Sequence, residues 1–317
     1  MDFKKLKKIL PFIGIALFVY VIFNIGPEKI INVFYSFNPY YLLILPFLWV
    51  PFYVFNSFLW YILMKKQKIN VGFPYVFKLS LIGEFYGLIT IGGLGRYILP
   101  FYLKEKSGDS LLKCTANLLI NEATGSIALL ICAMIGTVVL AEYFAYLLPV
   151  LILLFIILIT LCIVFIYERT GKKIVKIFIN TFTPRKLKKN MSFSIDMLYK
   201  DFPSKKFIIF LVFMELIFWL MYFSEAFIVA KMLMIDIPYL YFILIYPIGV
   251  IIASIPISIG GVGIREGSLI PIFLSFGVVP EKIFVLSLIF SIFTAWIVPA
   301  SIGAILSVSE IKLKNVN

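Results

Sequence analysis

Repeated apolar stretches, each about as long as the 17–25 residues that a helix needs to cross a bilayer, decide most of what this 317-residue chain can become. They run over 9–25, 40–64, 74–103, 111–140, 143–167, 206–230, 239–279 and 282–308. The chain is 62% hydrophobic and 14% charged, with a mean hydropathy of +1.06, far more oil than a soluble core requires. Backbone groups in hydrocarbon must find partners inside the protein, so the expected fold is all-α, a polytopic helical bundle forming a single transmembrane domain over 1–317. The run 9–25 follows a basic leader but is not followed by a small-x-small cleavage site, and is expected to stay as the first helix.

Two of these stretches cannot be plain helices. Gly83, Gly87, Gly92, Gly93 and Gly95 interrupt 74–103, while Pro247, Pro256, Gly260, Gly261, Gly263, Gly267 and Pro271 interrupt 239–279. Basic residues favour the cytoplasmic ends of spans. Lys4, Lys5, Lys7 and Lys8 place the N-terminus inside, and Lys65, Lys66 and Lys68 place the end of the second helix inside. The loop 168–206 carries eleven Lys and Arg residues and must be cytoplasmic too, whereas the turn at Ala141 and Glu142 has none. Lys104, Lys106 and Lys113 start the helix 111–140 on the inside, so parity leaves 74–103 no net crossing. It is expected to enter and return. Counting back from Lys312 and Lys314, with the C-terminus inside, makes 239–279 a second re-entrant hairpin, entering from the outer face.

An internal echo ties the two together. Leu88-Ile-Thr-Ile-Gly-Gly-Leu-Gly-Arg96, then Ile98-Leu-Pro-Phe, parallels Ile255-Pro-Ile-Ser-Ile-Gly-Gly-Val-Gly263, then Arg265 and Ile270-Pro-Ile-Phe. Paired broken helices of opposite orientation are how inverted-repeat transporters build a site near the midplane.

Charge inside such segments marks candidate sites. Arg265 and Glu266 are adjacent, which on a helix points them to different sides, so each is expected to need another partner; Glu122 is one candidate partner for Arg265. Arg96 and Arg265 could grip a phosphate or carboxylate in bidentate fashion. The backbone opened at Gly92, Gly93, Gly95, Gly260, Gly261 and Gly263 offers N–H groups to the same anion. Glu122 and Glu266 are the expected counter-charges, with Glu84, Glu215 and Glu225 as further polar positions. Glu215 and Glu225, about 80° apart around an ideal helix, could share a face. The four tryptophans and many tyrosines are most simply packing residues and interfacial anchors.

Several chemistries are disfavoured. The chain has no histidine, so it has no histidine base or histidine metal site, and Cys114, Cys132 and Cys162 lie apart in apolar segments without disulfide or ligand spacing. No Asp-rich metal cluster and no nucleotide-binding loop occur, so neither a metal nor any other cofactor is expected, and no enzyme activity. The net charge of +13 collects at helix ends, which is a topology signal and not a nucleic-acid footprint. Within 168–206, lysines interleave with Ile174, Val175, Ile177, Phe178, Phe193, Ile195, Met197, Leu198 and Phe202, a pattern for amphipathic helices lying on the membrane.

Ser258-Ile-Gly-Gly-Val-Gly-Ile-Arg-Glu-Gly267 resembles the Pro-Gly-Gly-x-Gly-x-Arg-Glu box of the lysylphosphatidylglycerol synthase transmembrane (flippase-like) family, and Gly92-Gly-Leu-Gly-Arg96 is similar to its first glycine box. The order of elements, including the Asn121-Glu122 helix and the basic central loop, agrees over nearly the whole chain. The first box departs from the family in having Arg96 where a glutamate would stand, and the Glu-Arg-x-x-Asp pattern is here Glu122-Ala-Thr-Gly-Ser126. The resemblance implies a polytopic protein of the cell membrane that moves charged or glycosylated lipids between leaflets. No soluble aminoacyl-transferase domain follows Asn317, so the synthase reaction is not expected of this chain alone. The expected partners are therefore membrane lipids with anionic headgroups, and no nucleic acid. The alternatives are a membrane transferase acting on a lipid-linked substrate and a membrane scaffold that moves nothing.

Overall fold

The computed structural model describes residues 16–182, 195, 199–254, 258, 261–296 and 298–314. Residues 9–15 of the first apolar stretch, most of the segment 183–198 and Gly260 lie outside them. The described residues are helical and contain no β-strand, as the hydropathy pattern requires.

Helix α1 (Ala16–Ile25) and α2 (Pro27–Ser36) meet at a 78° bend. The bend sits at Gly26, whose φ of +98° suits a residue without Cβ, and Pro27 opens the next helix because it has no N–H to leave unpaired. A 3₁₀ turn at Pro39–Leu43 leads into α3 (Leu45–Lys66). Next come α4 (Phe73–Leu88), a 3₁₀ turn at Leu94–Ile98 and α5 (Leu99–Ser107). Ser110 caps α6 (Leu111–Val139) by accepting from the Lys113 N–H at 3.3 Å. A short α7 (Ala141–Phe144) turns the chain into α8 (Leu148–Ile166), followed by the amphipathic α9 (Glu168–Phe182) with Lys172, Lys173 and Lys176 among its apolar residues. The remaining helices are α10 (Lys205–Met232), α11 (Tyr239–Ala253), α12 (Ile264–Leu274), α13 (Pro280–Ser291) and α14 (Val298–Lys314). Between α13 and α14 the chain widens into a π turn at Ile292–Trp296, a break that the apolar run 282–308 did not announce. Pro299, which cannot donate to the preceding turn, follows it. Among the described residues, five stretches are long and apolar enough to cross a bilayer, and six if the bent pair α1–α2 counts as one.

Both interrupted stretches double back. The Tyr75 hydroxyl donates to the Tyr102 carbonyl at 3.1 Å, and a methyl group at Gly83 would fall 2.8 Å from Leu99 Cδ1, so α4 and α5 run antiparallel. In the second stretch, Ser268 Oγ donates to the Gly249 carbonyl at 3.1 Å and the Phe242 and Phe273 rings lie 5.3 Å apart, so α11 and α12 are antiparallel too.

The hairpins approach from opposite ends of α6, which is about 43 Å long at 1.5 Å per residue. Leu103 at the base of the first packs with Cys114 and Leu118 near the start of α6. At the far end, Gly136 lets the Leu244 backbone approach so closely that a Cβ would sit 2.0 Å from its carbonyl oxygen. The ring of Tyr143, just past that end, lies 4.9 Å from that of Phe276 at the foot of the second hairpin. The tips meet: the Gly92 N–H donates to the Ser258 carbonyl at 3.2 Å.

This arrangement predicts a labelling pattern. In a chain whose three native cysteines are replaced, Ser107→Cys should react with a membrane-impermeant thiol reagent from the cytoplasmic face and Glu281→Cys from the opposite face. Reaction of both from one face would mean that one hairpin crosses fully.

Candidate functional site

The first tip is held by its own backbone. Thr90 Oγ1 donates to the Tyr86 carbonyl at 2.8 Å and accepts the Gly95 N–H at 2.7 Å. The approach is so close that a Cβ at Gly95 would fall 2.0 Å from the Tyr86 oxygen, which explains a glycine there. Gly92 and Gly93 turn with positive φ, and Arg96 emerges on the 3₁₀ turn directed back along α4, its Nε and Cγ seated against Gly87.

Arg96 forms an ion pair with Glu84 through Nη2, while Nη1 stands 3.9 Å from Glu122 on α6. Its Nε is buried and meets no acceptor among the described residues. These three side chains line a cavity of about 260 Å³ together with Asn56, Asn121, Ser126, Glu215, Trp219, Tyr222 and Thr294. Trp219 Nε1 donates to the Gly125 carbonyl at 2.9 Å, and Glu215 Oε2 faces the same glycine. The contributing residues fall near the middle of α3, α6 and α10, which places the cavity at mid-depth, open enough that the Arg96 and Glu122 side chains are each 39% exposed. Its formal charge is one arginine against three carboxylates.

The second tip is closed on itself. Arg265 and Glu266 are both buried, and contrary to the expectation that adjacent residues cannot neutralise each other, they pair directly. Arg265 donates to Glu266 Oε1 from Nη2 at 3.0 Å and from Nε at 3.3 Å. The Ser287 hydroxyl from α13 donates to the same oxygen at 2.6 Å and accepts from Arg265 Nε at 2.8 Å, while the Gly263 N–H donates to Glu266 Oε2 at 2.7 Å. Glu266 sits in the first turn of α12, where a carboxylate bends back to the freed N–H of its own N-terminus. That curl also brings it to the long guanidinium beside it. Gly263 and Gly261 supply the positive φ that the turn needs.

Arg265 therefore does not join Arg96: it lines no part of the cavity, and its described ion-pair partner is Glu266, not Glu122. Glu84 and Glu122 do converge on Arg96, and Glu215 lines the same cavity. Glu225, expected to share a face with Glu215, is buried away from the cavity. Sequence reasoning passed over Trp219, Tyr222, Asn56 and Thr294; the signal for Asn56 and Thr294 was a polar residue in an apolar run. It also passed over a polar chain nearer the start of α6. Trp60 Nε1 donates to Asn117 Oδ1 at 2.8 Å, and Asn117 Nδ2 to Gln67 Oε1 at 2.7 Å, all three buried. Trp60 and Trp219 are thus hydrogen-bond donors as well as packing residues. Beyond them, buried Lys113 reaches Asp109 at 2.9 Å and Asp201 at 3.2 Å, and Lys68 reaches Asp201 at 2.9 Å. The Lys68 ammonium, reinforced by Lys113, holds the Asp201 carboxyl below the ordinary aspartate range. This bridge ties the end of the basic loop to the base of the first hairpin.

The Arg265–Glu266–Ser287 cluster should be a stability element. Glu266→Gln leaves a buried guanidinium without its counter-charge and should cost about 3–5 kcal/mol, whereas Arg265→Met combined with Glu266→Gln should recover part of that loss. Thermal unfolding in detergent measures both. Equal melting temperatures for Glu266→Gln and the parent chain would contradict the pairing.

Among curated proteins and among solved structures nothing matches the chain. A family model described as the lysylphosphatidylglycerol synthase TM region matches residues 10–301, a span that includes both hairpins and every residue of the cavity. With its membrane-length helices, the chain is a multi-pass membrane protein belonging to the lysylphosphatidylglycerol synthase transmembrane family.

Proposed function

We propose that this chain carries a membrane lipid between leaflets, its headgroup passing through the cavity at Arg96, and that it performs no chemistry on the lipid. One observation supports this above others: a charged, roomy cavity lies at mid-depth among apolar helices, although burying charge there is expensive. A lipid headgroup meets the same expense when it leaves water, and a polar path lowers it while the acyl tails stay in hydrocarbon.

The charges favour a particular orientation of the headgroup. Arg96 spends Nη2 on Glu84, while Nη1 stands 3.9 Å from Glu122 and is the donor left to meet the phosphate shared by phospholipids. Glu122 and Glu215 can only accept hydrogen bonds when ionised, so they fit hydroxyl or ammonium groups beyond that phosphate. A glycosylated or polyol headgroup on an anionic phosphodiester satisfies both ends. The second tip contributes by position: its Ser258 carbonyl accepts from the Gly92 N–H and so supports the turn that aims Arg96. We place the plasma membrane as the site of action, with both termini and the loop 168–206 in the cytoplasm.

Reconstitution tests the reading. Vesicles of phosphatidylglycerol and phosphatidylcholine with a trace of tail-labelled phosphatidylglycerol should scramble the label with the parent protein. Arg96→Ala and Glu215→Gln should each slow it at least tenfold, consistent with losing a charge-assisted hydrogen bond of about 1.5–3 kcal/mol, with unchanged melting temperature for Glu215→Gln. Scrambling no faster than in protein-free vesicles, or unaffected by both substitutions, would overturn it.

A further inference from the structure

The feature left unused by the cavity is Glu225. It lies on α10, ten residues and about 15 Å along the helix from Glu215, towards the C-terminal end of α6. Only 8% of it is exposed, and its Oε2 meets no donor among the described residues.

Among the described residues, no cation stands ready to neutralise it. On α10 itself, Lys231 stands 3.8 Å from Asp236, and Lys205 and Lys206 occupy the opposite end. The packed neighbours supply Cys132 from α6 and Tyr246 from α11, both uncharged, and α11 has no charged residue. The charged residues of α6 are Glu122 in the cavity and Lys113 in the buried Asp109–Asp201 bridge; those of α3, Lys65 and Lys66, lie in its last turn. Those of α13 are Glu281 and Lys282 in its first turn, with Lys282 Nζ donating to the Met234 carbonyl at 2.8 Å. Arg265 is bonded to Glu266 and Ser287. An isolated carboxylate in such a place is costly, and taking up a proton removes the cost.

Glu225 also has a neighbour that links it to the cavity. Tyr222, three residues and about one helical turn back on the same helix, lines the cavity. A phenol both donates and accepts. It can take a proton from Glu225 while passing its own to a cavity carboxylate, which leaves Glu225 ionised, the cavity acid protonated and the phenol neutral.

We propose that Glu225 is a proton-carrying site that couples movement of protons to the lipid-headgroup cavity through Tyr222. The coupling half of this rests on the lipid-transfer reading; the proton site itself does not.

The experiment uses the full chain in the same phosphatidylglycerol–phosphatidylcholine vesicles, loaded with a pH-sensitive dye and given an external acid pulse. The parent protein should admit protons at least fivefold faster than empty vesicles. Glu225→Gln should remove that excess at an unchanged melting temperature, and Glu225→Asp, which keeps the acid, should retain it. Infrared difference spectra should show a protonated-carboxyl carbonyl band that Glu225→Gln abolishes. An imposed pH gradient should accelerate scrambling of labelled phosphatidylglycerol by the parent several-fold and leave the Glu225→Gln rate unmoved. Proton entry or gradient response equal in parent and Glu225→Gln overturns the proposal, as does absence of the band. If the parent scrambles no lipid but admits protons in a Glu225-dependent way, the lipid-transfer reading fails and the proton site stands.

Discussion

A helix that stops in the middle of a membrane leaves peptide groups with no water to turn to, and the rest of this structure depends on where they find partners. At the first tip, the Gly95 N–H goes to Thr90 and the Gly92 N–H goes across to Ser258 on the second tip. At the second, the Gly263 N–H goes to Glu266. Two half-length hairpins are thereby locked head to head, each supplying what the other cannot obtain from lipid. Glycine is needed at Gly95 because a Cβ would collide with the Tyr86 carbonyl, and at Gly92, Gly93, Gly261 and Gly263 because the turns take positive φ.

The two related tips have been put to different ends. In the second, guanidinium, carboxylate, hydroxyl and backbone N–H close into a compact cluster, with Glu266 wholly buried. In the first, Arg96 shares carboxylates from its own hairpin and from α6 and still faces open volume. Saturation makes a strut and incomplete saturation makes a site. The excess of carboxylates over arginine in that volume then restricts what can enter it, since each needs either a donor or a proton.

Much of the architecture was legible in the sequence because it follows from solvent: apolar length gives the spans, and glycine and proline within them give the hairpins. The breaks at Gly26 and at Ile292–Trp296 were less visible, since one glycine or one downstream proline seldom ends a membrane helix. The charged candidates were visible as misfits in oil, but their pairing was not. Nothing in local spacing reveals that Glu84 and Glu122 meet Arg96, or that Glu215 from a third helix lines the same cavity. The adjacency of Arg265 and Glu266 misled because Cβ directions along a helix do not constrain a carboxylate curling back at an N-terminus or a guanidinium long enough to follow it. Trp219 and Asn117 escaped notice because a tryptophan or asparagine in an apolar run can equally be packing; only their partners, Gly125 and Gln67, reveal the role.

The most direct measurement is an electron cryomicroscopy map of the chain in a nanodisc of phosphatidylglycerol. The account predicts lipid density whose phosphate lies against Arg96, at the depth where the two hairpin tips touch. A cavity filled by protein side chains, or an Arg96 level with the surrounding headgroups, would contradict it.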